Sequence, residues 1–126
     1  MQYQPLLGCA PSADKRAEAY HQRWLVGDEN GGYLSPAVCP ALADIEVQLS
    51  MGYLVLRAPG MLRLDIPLDV IEDDDSVCSQ MQLGDQSIKV VDEGKLAATW
   101  LSNHLGRTAR LYKIHPDVQS WVVPVN

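Results

Sequence analysis

Between residues 45 and 66 apolar and polar side chains alternate, the period of half-buried strands. Ile45, Val47 and Leu49 share one face of a first run. Met51-Gly52 turns the chain into Tyr53 to Arg57, and Ala58-Pro59-Gly60 turns it into Met61 to Ile66, with Leu62, Leu64 and Ile66 on one face. Upstream, Gln22 to Val26 and Tyr33 to Ser35 flank the cluster Gly27 to Gly32, which reads as a hairpin. Tyr3 to Leu7 is broken by Pro5 and reads as an edge or entry strand. Shorter strand candidates are Val70-Ile71, Val77 to Met81 and Ser87 to Val91. Pro11-Ser12 opens a weak helical turn over Asp14 to Tyr20.

The period then changes. Leu96, Trp100, Leu101, His104 and Leu105 recur at helical spacing, with Asp92 placed to cap the first turn and Gly106 to end the last. A final strand, Ala109 to Ile114, precedes an apolar tail holding Trp121, Val122, Val123 and Val125. The pattern predicts a mainly β (α+β) fold: a small β-barrel built from a meander, with one helix near the C-terminus. The expected organisation is a single domain over 1–126, with the barrel at about 3–114 and the tail over 115–126.

Composition fits one ordinary domain: 126 residues, 47% hydrophobic and 21% charged. Ten basic against sixteen acidic residues give a net charge of −6, which argues against nucleic acid as a partner. No apolar run reaches the roughly 18–20 residues of a membrane span. Leu6-Leu7-Gly8-Cys9 looks like the cleavage box of a bacterial lipoprotein, but no basic or apolar leader precedes it, so no lipid anchor is expected. Cys9, Cys39 and Cys78 are widely spaced without a C-x-x-C pair. They read as free thiols in a reducing cytoplasm.

Three segments bear a resemblance. The first is His21-Gln22-Arg23-Trp24-Leu25-Val26 followed by Gly31-Gly32-Tyr33-Leu34-Ser35. The second is Pro40-Ala41-Leu42-Ala43, and the third Trp100-Leu101-Ser102-Asn103-His104-Leu105-Gly106. Together they resemble the D-R-x-W hairpin, P-x-L-A turn and W-L-S-x-x-L-G helix of the N-terminal β-barrel domain that precedes MOSC domains. Those domains occur in molybdenum cofactor sulfurases and in molybdenum-dependent reductases of N-hydroxylated compounds. The resemblance implies that such a barrel helps to hold the pterin phosphate of the cofactor. It does so through a Lys-Ser pair after the first strand, the Arg of D-R-x-W and a second Arg before P-x-L-A.

Here those positions are Leu7, Gly8, Gln22 and Ala37. Arg23 lies one residue away, and on a strand one step points to the other face. The second half of such enzymes has no counterpart in the fifteen residues after Leu111. The resemblance thus implies the fold and no cofactor.

Other candidates are weak in sequence. Glu72-Asp73-Asp74-Asp75 and Asp28-Glu29-Asn30-Gly31 lack the spacing and closing Glu of a calcium loop. His21, His104 and His115 have no partner at metal-ligand spacing, so no metal is expected. Cys39, between Pro36 and Pro40, is the one thiol considered as a nucleophile, and no cation stands near it in sequence. Trp24 and Trp100 read as core anchors. Trp121 with Val122, Val123 and Val125 either covers the barrel, adds a strand to it, or offers a partner surface.

The expected function is a non-catalytic binding or structural module, with a protein partner or a homodimer. The alternative is an accessory subunit of a molybdenum-cofactor enzyme, acting in trans with a separate MOSC chain.

Overall fold

A computed structural model describes residues 2–68, 78–83, 85–115, 118 and 121. The expected strand Val70-Ile71, the acidic run Glu72 to Asp75, and Val122, Val123 and Val125 lie outside the described residues. The strands are β1 (Trp24–Asp28), β2 (Glu46–Ser50), β3 (Tyr53–Arg57), β4 (Leu64–Pro67), β5 (Cys78–Leu83), β6 (Gln86–Asp92) and β7 (Ala109–Ile114). Helix α1 spans Lys95–Leu105, and short 3-10 helices cover Lys15–Tyr20 and Pro40–Asp44. Two antiparallel sheets result, ordered β1-β7-β6-β5 and β2-β3-β4.

The β2–β3 turn shows why the meander forms. Met51 and Gly52 have φ of 49° and 87°, the mirror-image turn whose twist matches antiparallel strands. β2 then alternates cleanly, Val47 and Leu49 buried and Glu46 and Gln48 exposed. The four-stranded sheet is different, because both of its faces are apolar. Trp24 and Val26 of β1 and Leu111 of β7 join the larger core with the inner faces of β2, β3, β4 and α1. Leu25, Tyr112, Ile88, Val90, Met81 and Leu83 form a second core on the opposite face, covered by Tyr33, Val118 and Trp121. Continuous apolar runs such as Trp24-Leu25-Val26 are the sequence mark of a strand buried on both sides.

That sheet curls until its far strand returns to β1. Gly32 bridges Gln82 of β5, and Gly27 of β1 lies under Met81 and Tyr112. A Cβ at Gly27 would sit 2.6 Å from the Tyr112 ring and 2.7 Å from the Met81 methyl, so a larger residue here would push both side chains aside. The expected barrel with one late helix is the observed architecture, with the wall divided between two sheets.

Several local expectations are corrected. β1 starts at Trp24, not Gln22, because Gln22 adopts a left-handed φ of 58°. Tyr3 to Leu7 contributes isolated bridges, Tyr3 to Ser12 and Leu6 to Trp24, where an entry strand was expected. Asp92 does not cap α1 directly. Its carboxylate accepts the Gly94 N–H at 2.8 Å and an Arg110 bond at 2.6 Å, while Gly94 at φ 104° starts the helix. Gly106 does end it, left-handed at φ 70°, its N–H on the Ser102 carbonyl. Leu62 and Leu96, both expected inside, are 86% and 73% exposed. β4 begins only at Leu64, and the buried stripe of α1 is Ala97, Ala98, Trp100 and Leu101.

Candidate functional site

The corner that the resemblance points to is built by the chain before β1. Leu6 pairs in parallel with Trp24, and the Leu7 N–H reaches the Trp24 carbonyl at 2.9 Å. This draws Leu7 into the second core with 1% of its surface exposed. Gly8 then turns left-handed at φ 87°, where a Cβ would meet the Pro36 ring at 3.1 Å and Leu42 at 3.4 Å. Ala37 follows Pro36 and is exposed. Gln22 is held elsewhere, its N–H on the Gln4 carbonyl at 2.8 Å. The structure therefore brings Gly8 beside the Pro36-Ala37 turn, and holds Gln22 by its backbone on the turn that precedes β1.

A doubly charged phosphate needs charge-assisted donors. A buried leucine, a cramped glycine, a glutamine held at another turn and an alanine do not fit that group. Nor does Arg23 replace the expected Arg. Its guanidinium donates to the carbonyls of His115 at 2.9 Å and Val118 at 3.2 Å, and lies 5.1 Å from the centre of the Trp121 ring. Partial burial draws its pKa down from the ordinary arginine value. Arg23 thus ties His115, Val118 and Trp121 together beside the second core. Trp121 is half-buried there, the covering arrangement among those the sequence left open.

Of the cysteines singled out from the sequence, Cys9 is buried and its thiol pKa is pushed up by desolvation. Cys39 is also buried, which shields it from reagents and substrates, and Cys78 is half-buried on β5. His21 Nδ1 accepts the Gln4 N–H, and His104 Nε2 donates to the Ala41 carbonyl at 3.0 Å. Asp28 accepts the N–H groups of Asn30 and Gly32, a hydrogen-bonded turn. Among the described residues no three His, Cys, Asp or Glu side chains come together as a metal site.

Behind β1 lies a polar group inside the larger core. The Trp24 Nε1–H donates to Glu93 at 2.9 Å, and the buried Lys113 ammonium donates to the Leu68 carbonyl, 5.1 Å from the Trp24 ring centre. Trp24 is thus a core anchor, and its polar edge is satisfied as burial requires.

Among the described residues, one open region of the surface is a place the sequence did not single out. Two adjoining cavities of about 290 and 310 Å³ flank α1 and share Leu96. One runs along all four residues of β4 to Asp92 and Glu93. The other lies between Gly60-Met61-Leu62 and Trp100. The Trp100 Nε1–H donates to the Leu62 carbonyl at 2.6 Å, so the helix holds this loop and leaves the Leu62 side chain outward. One signal was readable: two alanines, Ala97 and Ala98, beside Leu96 give the helix a small-residue face that packs inward without needing Leu96.

A two-sheet half-barrel with a late helix, entered through a Trp-bearing strand and closed at a Gly-capped helix, is the class of domain these features define. The chain belongs to the MOSC N-terminal beta barrel domain family, which it matches over residues 12–108. It is 34% identical over 101 residues to a molybdenum cofactor sulfurase of Danio rerio, and 29% identical over 102 residues to one of Bos taurus. These matches cover 78% and 79% of this chain and 12% of each of those proteins. The fold also superposes, with a TM-score of 0.84 and 55% identity, on the solution structure of a Bordetella bronchiseptica protein solved as a structural genomics target. That similarity spans 98% of this chain and 95% of the other.

Proposed function

We propose that this domain is a binding or structural module that carries out no chemistry of its own. The observation that supports it is the Leu7-Gly8 corner. Where the resemblance calls for a cation and a hydroxyl, the chain has a side chain sealed in a core and a left-handed glycine against Pro36. Charge-assisted bonds to a phosphate are worth about 1.5–3 kcal/mol each, and none of the four positions supplies one. The same reading takes the protein to be cytoplasmic, which its three unpaired cysteines favour. Among the described residues no helix is long and apolar enough to cross a membrane. The test is pterin fluorescence and molybdenum analysis on protein purified from its own cells, with light scattering for its assembly state. Absence of pterin together with a protein partner or a dimer is expected; stoichiometric pterin overturns the reading.

A second reading is favoured by the similarity to two molybdenum cofactor sulfurases. In it the domain is an accessory subunit that works in trans with a separate MOSC chain, which brings the cofactor site. Co-expression with such a chain from the same genome, followed by co-purification and metal analysis, separates the two. A complex carrying molybdenum supports the accessory role, and failure to associate ends it.

A further inference from the structure

We propose that Asn30 is a site of spontaneous deamidation, where the chain converts its own turn after β1 into an aspartate or isoaspartate form at a rate set by the hydrogen bonds of Asp28. The inference goes beyond the binding-module reading and does not depend on it. Asn30 is exposed and is followed by Gly31. Among the described residues its side-chain amide makes no hydrogen bond, so its Cγ is free to approach the backbone. Gly31 supplies the attacking nitrogen. Its φ is 79°, and no atom lies within 4 Å of where its Cβ would be, so nothing crowds a ring built there.

The step needs only water and its hydroxide. The Gly31 nitrogen gives its proton to hydroxide and attacks Cγ of Asn30. A C–N bond forms and closes a five-membered succinimide. The bond from Cγ to Nδ2 breaks, and Nδ2 leaves as ammonia with a proton from water, which regenerates hydroxide. Another water then opens the ring at either carbonyl. Opening at the main-chain carbonyl leaves isoaspartate, with the backbone rerouted through the side chain, and opening at the other leaves aspartate. Asn103 is exposed too, but it stands inside α1 before His104. There the following N–H belongs to the helix ladder, and a side chain on the following residue crowds the ring. Asn126 lies outside the described residues.

The fold sets the pace of this step and gives it a consequence. The Gly31 N–H donates to the Asp28 carbonyl at 3.0 Å, so the nucleophile is engaged until the turn opens. The Asp28 carboxylate accepts the N–H groups of Asn30 and Gly32, each at 2.9 Å, and the Asp28 N–H donates to the Gly32 carbonyl at 2.8 Å. Exposed turns open locally, without unfolding of the core, and these bonds set how often. Directly beyond, Gly32 bridges Gln82 of β5 and Tyr33 bridges Gly27, where the half-barrel closes. Isoaspartate adds a carbon to the main chain inside this turn, which displaces Gly32 and Tyr33 from those partners. Either product also adds a carboxylate beside Asp28 and Glu29, where like charges repel.

The experiment ages the full chain at pH 8 and 37 °C and follows it by peptide mapping in a mass spectrometer. An isoaspartyl carboxyl methyltransferase with labelled S-adenosylmethionine counts the isoaspartate. Expected is the mass change of ammonia lost and water gained at Asn30, ahead of Asn103 and Asn126, with methyl label on the same peptide. Asp28→Ala removes the charged acceptor and should raise the rate about tenfold, and Asp28→Ser, whose hydroxyl still accepts, should bring it back down. Wild type unfolded in urea should convert faster than the folded chain. Asn30→Gln, which would have to close a six-membered ring, should abolish the label. Amide spectra of aged ¹⁵N-labelled protein should change at Gly31, Gly32, Tyr33 and Gln82 and stay constant along α1. An Asn30 that stays intact while Asn103 or Asn126 converts, or label that persists in Asn30→Gln, overturns the site. Folded wild type converting as fast as the urea-unfolded chain overturns the control by Asp28, whatever the variants do. An aged spectrum unchanged at Gly32 and Gln82 overturns the effect on closure.

Discussion

The Gly8–Pro36 corner and the β4–α1 seam are both on the surface of one small domain, and they have opposite characters. The corner is where the family resemblance expects a ligand, and it is filled from within by Leu7, Pro36 and Leu42. The seam is a place for which the sequence offered only the alanine pair beside Leu96 as a signal, and it is open, with two leucines held outward. In the non-catalytic reading proposed above, the scaffold is kept while the chemistry at the corner differs from what the resemblance implies. This is what to expect when a fold outlasts the particular site grafted on it.

The contrast can be broken by mutation, and the largest effect belongs to the corner. Leu7→Lys, which restores the family's residue type, should cost about 4 kcal/mol or more, because it replaces a fully buried apolar side chain with a charge. Urea denaturation reads this directly. A stable Leu7→Lys protein that also bound pterin phosphate would show the corner to be adaptable rather than closed. Arg23→Ala is next, at about 1.5–3 kcal/mol, since it removes two charge-assisted bonds to the His115 and Val118 carbonyls. Tryptophan emission should shift to the red as Trp121 loses its cover, which a merely local loss of packing at Arg23 would not produce.

Alkaline pH sharpens the comparison from another side. Cys9 keeps its proton in the folded state well above its ordinary value of 9.0, because burial penalises the thiolate. Burial pushes the Tyr33 and Tyr112 phenols up from 10.0 in the same direction. The unfolded chain therefore loses these protons first, so stability is fully present below about pH 9 and falls as pH rises beyond it. Urea midpoints at pH 8 and pH 10 check the slope, and Cys9→Ala should flatten it. The smallest effects belong to the seam. Leu62→Ser and Leu96→Ser should each change stability by no more than about 0.5 kcal/mol, as exposed positions do.

Much of this architecture was legible in the chain. The switch from period two to period 3.6 placed α1, Gly106 marked its end, and Ala109 to Ile114 emerged as β7 with the expected bounds. Met51-Gly52 announced the β2–β3 turn. What stayed hidden depended on partners distant in sequence. Leu62 continues the alternation of Leu64 and Ile66, and the Trp100 indole that holds its carbonyl comes 38 positions later. Arg23 could be read as displaced from its expected face, but not as the clamp for carbonyls more than ninety residues on. Asp92 looked like a helix cap because its pairing with Arg110 becomes visible only when β7 returns beside β6.

Gly27 has a wider consequence. Tyr112 and Met81 come together over β1 because no methyl group keeps them apart, so the bore of the half-barrel is set by a residue with no side chain. Enlarging that bore by design would therefore begin with this position and a smaller pair above it. Changing Gly27 alone would force the curved wall to spread before any new space inside became usable.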